Sequence, residues 1–246
     1  MNAITLTALL AVTFGMPEAP VQTRAQSALQ KLVASKCWIE QAAALDALRS
    51  LGNPGLKLIQ RTAVRNADLS VRRLCYESLM RDFACDKNVI KMLISEGLAD
   101  SDEEIRYRCA FFMGEHKIYS AHRRLRLLFK FSDLSERTRL AAQKSLAELG
   151  DSDVFPHLCK ALGSDSYQDR ILGNVGIKAL SGRNLNEFGN YDFAEGAYFL
   201  GVQLSVGIDG IRDAERKAKR FQALTAYCRW LKEARPDLYK HLTADY

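Results

Sequence analysis

Proline, histidine and closely spaced cysteines are scarce in this chain, and each scarcity excludes a class of structure or site. Five prolines in 246 residues leave long stretches that can be helical. Four histidines, with one Glu-His pair at Glu115 and His116, do not supply a histidine-rich metal centre. The six cysteines show no CxxC spacing, which disfavours a zinc site. The sequence therefore predicts a helical protein with no metal and no cofactor.

Catalytic motifs are missing too. The sequence contains no HExxH zinc motif, no Gly-x-Ser-x-Gly nucleophile turn, no P-loop and no dinucleotide-binding glycine pattern. The glycines at positions 196, 201, 207 and 210 lie in an irregular segment. We therefore predict that the protein is not an enzyme and has no catalytic residues.

One apolar run stands out, at the amino terminus. Residues 4–14 form an uncharged apolar run. Its length is that of the apolar core of a secretory signal peptide, and it is too short to span a bilayer. Small residues near Ala19 and Ala25 could form a cleavage site, although no Lys or Arg precedes the run. We expect a signal peptide within residues 1–25 and a periplasmic or extracellular location. The alternative is a cytoplasmic protein whose first helix covers the end of the fold.

The net charge of +6 is unevenly distributed, with basic residues in excess over 61–144 and 212–240 and acidic residues over 145–211. Such blocks are one indication of an anionic partner, with nucleic acid as a candidate, and the alternative is a soluble protein with a mixed surface. In the segment HRRLRLLFK (residues 122–130), however, the apolar residues are expected to be buried, which leaves only the basic rim of an ordinary amphipathic helix. This argument disfavours nucleic acid as the partner. The apolar residues are Leu125, Leu127, Leu128 and Phe129, and the rim is Arg123, Arg124, Arg126 and Lys130.

A segment of nine residues recurs along the chain. VRRLCYESL (71–79), IRYRCAFFM (105–113) and TRLAAQKSL (138–146) each place a basic residue second, a small residue three positions later and a large apolar residue four positions after that. This spacing marks one face of a helix that packs closely against another helix. The basic column is Gln41, Arg72, Arg106, Arg139 and Arg170; the small column is Ala44, Cys75, Cys109, Ala142 and Gly173; the large column is Leu48, Leu79, Met113, Leu146 and Ile177.

Each of these segments is the second helix of its unit, and another helix precedes it in the sequence. LGNPGLKLI (51–59) and LGDSDVFPHL (149–158) each read as Leu-Gly, a polar turn and a new apolar periodic run. Glycine at that point is typical of a helix C-terminus, and Asn53 or Asp151 can begin the next helix. Each unit is therefore predicted to be helix–turn–helix, and neighbouring units must stack to bury their apolar faces. Cys75 and Cys109 are expected to be buried packing residues and not a disulfide.

The pattern D-x-x-V-R-x-x-(A/C)-x-x-S-L, written at residues 68–79, resembles a HEAT repeat of the short bacterial kind, which also occurs in phycobilin lyase-like HEAT proteins. The resemblance implies an all-α, right-handed, armadillo-like α-solenoid of about five units over residues 26–180. It also implies a scaffold or protein-interaction role. Lyase activity, or another HEAT-type enzyme acting on a bound ligand, remains an alternative by family analogy, as does a basic solenoid that binds nucleic acid.

Residues 181–246 depart from the repeat and are predicted to form a small irregular C-terminal cap. A Gly/Asn-rich loop leads to residues 200–208, whose strict alternation predicts a strand. Residues 211–236 predict an amphipathic helix with its apolar seam at Phe221, Leu224, Cys228 and Leu231. The strand could instead offer an edge to another protein, and the basic helix could contact a membrane surface.

The functional prediction is a non-catalytic scaffold that binds a protein partner on the concave face of the solenoid, lined by the second helices. Candidate contacts are exposed basic and aromatic residues beside the buried columns, together with basic residues on the helix rim described above. These candidates are Arg73, Tyr76, Tyr107, Arg108, Arg123 and Arg124.

Overall fold

A computed structural model describes residues 20–130, 134–188 and 210–243, and every regular element in these ranges is helical. The α-helices are α1 (Val21–Ala34), α2 (Trp38–Ser50), α3 (Asn53–Arg65), α4 (Leu69–Asp82), α5 (Lys87–Ser95), α6 (Glu103–Glu115), α7 (His122–Lys130), α8 (Glu136–Glu148), α9 (Phe155–Leu162), α10 (Tyr167–Ser181), α11 (Gly210–Ala234) and α12 (Pro236–Thr243). Short 3-10 turns lie at Gly97–Ala99, Tyr119–Ala121, Ser152–Val154 and Leu185–Phe188. The predicted strand at 200–208 and most of the predicted signal peptide lie outside the described residues.

Helices α1 to α10 follow one another as five helix–turn–helix pairs, which confirms the all-α solenoid class. The chain divides into two compact units, residues 1–92 and 93–246. In the first unit α1 packs on α2, α2 on α3, and α3 on α4. In the second unit α8 is central: it contacts α6, its own partner α7, and the following pair α9 and α10.

The three sequence columns occupy the positions that the repeat pattern predicts. Every member of the large column has no exposed surface, and every member of the small column is buried. Cys75 and Cys109 are among them, and both are free thiols, as predicted. Their burial follows from the periodicity, because residues three, four and seven apart share one helix face.

Small residues allow the helices of the second unit to approach closely. A Cβ atom on Gly114 of α6 would lie 2.7 Å from Cα of Ser145 in α8, and one on Gly173 of α10 would lie 2.9 Å from the carbonyl oxygen of Leu158 in α9. The buried Ser145 hydroxyl donates to the carbonyl of Ala110 at 2.7 Å, which joins α6 to α8. Glycine and serine are therefore packing residues here, and larger side chains would force the helices apart.

The turns between helices use the predicted glycines. Gly52 and Gly150 adopt positive φ angles of 65° and 88° after α2 and α8. In the equivalent place after α6 it is Lys117 that has the positive φ, at 52°. The predicted Leu-Gly turns are thus confirmed at two of these three places.

The last two helices cover one end of the second unit. Helix α11 packs on the 3-10 turn at Leu185–Phe188 and on α12, and α12 packs on α9. The guanidinium of Arg235 donates to the carbonyl of Leu180 at 2.9 Å. The buried stripe of α11 is Ala223, Tyr227 and Leu231, so the predicted seam is wrong at Phe221, which is 72% exposed.

Candidate functional surfaces

Residues of the basic column donate hydrogen bonds to the turn between the two helices of their own pair. Gln41, Arg72, Arg106 and Arg170 each donate to the backbone carbonyl six residues earlier, at 2.9, 3.2, 2.6 and 2.8 Å respectively. These carbonyls stand at or just after the end of the preceding helix, where backbone acceptors lack helical partners. The residue six positions before Arg139 lies outside the described ranges. An anion-binding track along these four residues is therefore disfavoured, since their donors already hold backbone oxygens.

The same turns show a second recurring bond. Ser35, Asn66, Asp100 and Ser164 each accept, through the side chain, the N–H of the residue two positions on, at 2.8–3.1 Å. In three of these turns the bonded residue also caps the following helix: Asp68, Asp102 and Ser166 accept N–H groups from the first turn of that helix. Each turn is thus fixed by its own side chains, and Gln41 supplies the same donor as the arginines it replaces.

The six residues proposed as contacts have different surroundings. Arg73, Arg108 and Arg123 are exposed and Arg124 is partly exposed, as expected. Tyr76 and Tyr107 are 1% and 9% exposed, so the expectation that they face solvent is wrong. Tyr107 is covered by the guanidinium of Arg137, which lies 3.9 Å from its ring centroid. A neighbouring helix therefore buries a position that looked peripheral on an isolated helix.

A charged cluster joins the second helices α6 and α8. Glu104 accepts from Arg108 on its own helix at 2.7 Å and from Arg137 on the next second helix at 2.7 Å. Burial acts to raise the pKa of Glu104, but the two arginines outweigh it and hold that pKa below its ordinary value. The side chains of Arg108 and Arg137 remain 47% and 38% exposed. They are therefore fixed in direction and still reachable by a partner.

A buried ion pair lies further along the same two helices. Lys144 is 2% exposed, with its Nζ 2.9 Å from Oε1 of Glu148 and 3.6 Å from the ring centroid of Phe111. Burial raises the pKa of Glu148 above its ordinary value, although Lys144 opposes the shift. The pair is enclosed by protein and fixes α8 against α6; it does not offer a surface.

A cleft of about 460 Å³ opens among α7, α8, α9 and the start of α10. Its floor is α8, which presents four residues at helical spacing: Glu136, Arg139, Leu140 and Gln143. The opposite wall is α9, and Phe129 of α7 meets His157 of α9 edge to face, with ring centroids 4.8 Å apart. The remaining lining residues are Lys160, Ala161, Gly163, Ser164 and Asp169.

Sequence reasoning missed three participants in these surfaces: Glu104, Arg137 and Gln143. Glu104 and Arg108 are spaced i,i+4 with the acid first, which is a recognisable pairing signal. Gln143 follows Arg139 by four residues, so the sequence already placed them on one face. That this face lines a cleft depends on how α7, α9 and the start of α10 pack around α8, which the spacing does not encode.

Sites for metals and membranes were sought in the same ranges. Among the residues that the structure describes, no three His, Cys, Asp or Glu side chains come close enough to hold a metal ion. Within those residues, no helix is both long and apolar enough to cross a bilayer.

Comparison with known proteins identifies the repeat. The family model of HEAT repeats matches residues 90–173. This range runs from within α5 into α10 and includes the charged cluster and every residue that lines the cleft. No curated protein and no solved structure gives a significant match. Residues 90–173 are thus similar to HEAT repeats, in agreement with the resemblance that the sequence columns indicate for this stretch of the chain.

Proposed function

We propose that the chain is a non-catalytic interaction module that holds a protein partner along its second helices, on the predicted concave face. HEAT repeats generally mediate protein interaction or scaffolding, and residues 90–173 carry them. The supporting observation is the pair Arg108 and Arg137, both held by Glu104 and both still partly exposed. Arginines fixed before binding lose less side-chain entropy when a partner arrives, and arginine is enriched at interface hot spots.

The test is capture of partners from native-host extract by the full chain and two charge-reversed variants. Arg108→Glu combined with Arg137→Glu removes both donors and is expected to abolish retention of the captured protein. Arg61→Glu is the matched control, because this exposed residue on a first helix, α3, lies outside the cluster and is not among the candidate contacts. Equal retention by all three proteins would remove the second-helix face from the proposal.

Catalysis on a bound ligand is the principal competing proposal, and the cleft between α8 and α9 is the observation that favours it. Native mass spectrometry of protein purified from its own host distinguishes the two. A stoichiometric small molecule would support a lyase-like or other enzyme, whereas a co-purifying protein would support the scaffold. If the partner were nucleic acid, the affinity of the protein for it would fall steeply as salt is added.

For location, we propose export, supported by the apolar run at residues 4–14. Helix α1 begins at Val21 and buries Ala25, Ala28 and Leu32. Cleavage just after Ala19 would leave this helix intact, while cleavage near Ala25 would remove its first turn. Intact-mass measurement of protein from a native-like host is expected to show a first residue between Ala19 and Gln26; retention of Met1 would contradict export.

A further inference from the structure

The first helix of every pair from α1 to α10 carries Lys or Arg but no acidic residue. These helices read VQTRAQSALQKLVA in α1, NPGLKLIQRTAVR in α3, KNVIKMLIS in α5, HRRLRLLFK in α7 and FPHLCKAL in α9. The second helices mix both signs of charge, as in ERTRLAAQKSLAE of α8. Charges of both signs are normally interspersed on a protein surface, so this separation by helix makes the first helices consistently basic.

In the first compact unit two of these helices lie side by side, because α1 packs on α3. Lys57, Arg61 and Arg65 follow one another at intervals of four residues on α3, so they share one side of that helix, and all three are exposed. Arg24 and Lys31 of α1 are exposed too, and their spacing of seven residues places them on one side of α1. These five residues on the exposed sides of α1 and α3 are called the basic face below.

Acidic groups of the same unit do not offset the basic face. Its four cations other than Arg24 form no ion pair within the described part of the chain. The acidic residues that the structure describes in this unit lie on second helices or in turns: Glu40, Asp46, Asp68, Glu77, Asp82 and Asp86. Asp82, for example, already holds Arg49 and Arg81 of the second helices. The positive charge of the basic face therefore remains available to an anionic partner.

Exposed apolar side chains accompany these cations. Val64 lies among the cations of α3 and is 37% exposed. Val33 near the end of α1 is 41% exposed, and Trp38 and Ile39, which begin α2, are 71% and 59% exposed. Lys and Arg mixed with exposed aliphatic side chains and an exposed Trp are typical of surfaces that lie on a lipid bilayer.

Nucleic acid would make less use of this combination. Contacts to phosphate and sugar come from polar donors, and exposed valine and isoleucine side chains add nothing to them. In the headgroup region of a bilayer, the apolar side chains leave water while neighbouring cations meet lipid phosphates. Trp38 suits that boundary, because its ring is apolar and its indole N–H can still find an acceptor. These observations favour an anionic lipid surface over nucleic acid.

We propose that the basic face of α1 and α3, together with Trp38 and Ile39, docks the protein on an anionic lipid surface. The cations lie against lipid phosphates, and the two apolar side chains enter the headgroup region. This goes beyond the proposed function, whose arginines, Arg108 and Arg137, stand on second helices of the other unit. Vesicle binding and partner capture are therefore separate measurements, and either can fail alone.

Co-sedimentation of the full-length protein with vesicles provides the test, with phosphatidylcholine alone and with phosphatidylcholine mixed with phosphatidylglycerol. Wild-type protein is expected to bind the mixed vesicles much more tightly than the neutral ones. Each cation near an anionic membrane contributes about fivefold to affinity, so Lys57→Gln combined with Arg65→Gln should weaken binding by about twentyfold. Wild-type protein that binds both kinds of vesicle equally, or neither, would overturn the proposal.

The matched control is Arg73→Gln combined with Arg81→Gln. It removes the same charge, at the same spacing of eight residues, from exposed positions on α4, a second helix of the same unit. Its binding to mixed vesicles is expected to stay close to that of the wild type. Equal losses in the two double variants would show only a general attraction between a cationic protein and an anionic surface, and the basic face would be rejected as the docking site.

Trp38 and Val64 test the lipid contact itself. Tryptophan emission should move to shorter wavelength when mixed vesicles are added, and Trp38→Phe, which leaves only Trp230, should lose this shift. Val64→Ser should weaken vesicle binding without changing the thermal melt. A shift that persists in Trp38→Phe would contradict the proposed contact. A short DNA duplex that binds more tightly than mixed vesicles, and equally well to Val64→Ser, would assign the basic face to nucleic acid instead.

Discussion

Arg106 shows how one side chain can close a turn. Its Nη1 donates to the carbonyls of Asp100 and Ser101, at 2.6 and 2.9 Å. Gln41 performs the equivalent task for Ser35 with an amide. The bond therefore depends on a donor that reaches back six residues, and positive charge is not essential to it.

The chain itself suggests the matching pair of substitutions. Arg106→Met should lower the free energy of unfolding by about 1–3 kcal/mol, because carbonyl acceptors lose their donor. Arg106→Gln should lose less than half of that, since Gln41 shows that an amide can make the bond. Urea unfolding followed by circular dichroism measures both, and equal losses in the two variants would contradict this account of the column.

Asp82 is the second informative residue. It ends α4 and accepts from Arg81 of its own helix, from Arg49 of α2 at 2.7 Å and from Ser78 at 3.1 Å. Burial acts to raise the pKa of Asp82, but these hydrogen bonds outweigh it and lower the pKa from 3.8 to about 2. The folded state thus favours the charged carboxylate more than the unfolded chain does.

The pH dependence follows from that sign. A carboxyl group with a depressed pKa in the folded state contributes stability at pH values above 3.8 and loses it as the pH falls towards about 2. Asp82→Asn should therefore be destabilised by about 1–3 kcal/mol at neutral pH, with the difference from wild type shrinking below pH 4. Asp46→Asn is the control, because Asp46 also pairs with Arg49 but its side chain is 62% exposed. A wild-type difference that is constant with pH would rule the charge effect out.

At the scale of elements, close packing of α6 on α8 makes Gly114 irreplaceable. Gly114→Ala should cost about 1–3 kcal/mol through overpacking, since the new Cβ would lie 2.7 Å from Ser145 Cα. Gly163→Ala is the counterpart, because its Cβ would meet only the Lys160 carbonyl at 3.4 Å, and it should be nearly neutral. Thermal melting compares them, and a neutral Gly114→Ala would show that the two helices can separate without cost.

The face that α11 turns to the protein gives another test. Tyr227 has no exposed surface and meets Phe188 and Trp230 at ring-centroid distances of 5.4 and 5.6 Å. Tyr227→Ala should therefore cost about 3–5 kcal/mol, while Phe221→Ala should change stability by less than about 0.5 kcal/mol. If urea unfolding showed a larger loss of stability for Phe221→Ala than for Tyr227→Ala, the apolar seam predicted from the sequence would be correct at Phe221.

These elements also show how far the sequence could lead. The small and large columns were predictable because burial repeats with the helical period, and five copies reinforce one another. The face of α11 was not, because a single helix with aromatics on several sides does not specify which side meets the protein. Helical spacing placed Phe221 in the buried seam, but Ala223 is buried and Phe221 is exposed. The cleft on α8 was likewise not predictable, since it depends on how α7, α9 and the start of α10 pack around that helix.

At the scale of the molecule, the two compact units carry buried thiols that can report on each of them separately. Cys75 lies in the first unit and Cys109 in the second, and neither has any exposed surface. Burial raises the pKa of Cys75 to about 12 and that of Cys109 further still. Thiolate is the reactive form, so neither should be alkylated until its unit opens.

Pulsed alkylation over a urea series, read by mass spectrometry, should label Cys75 at lower urea than Cys109. The first unit is smaller, and the second has the Ser145–Ala110 bond and the Lys144–Glu148 pair to hold its helices. Cys37 and Cys85 are exposed and should react without urea, which makes them internal controls. Simultaneous labelling of Cys75 and Cys109 would show that the chain unfolds as one cooperative unit.

The hydrogen bonds within the turns bear on how the number of helix pairs can change in evolution. Gln41, Arg72, Arg106 and Arg170 donate to carbonyls five or six residues back, so the donor and the acceptor of each of these bonds belong to the same helix pair. A gene duplication that copies one pair therefore copies a finished turn with it. Unequal crossing-over between equivalent columns would add or remove whole pairs without creating a turn that lacks its donor. The length of the array can then change in evolution while every junction remains one that the protein already makes.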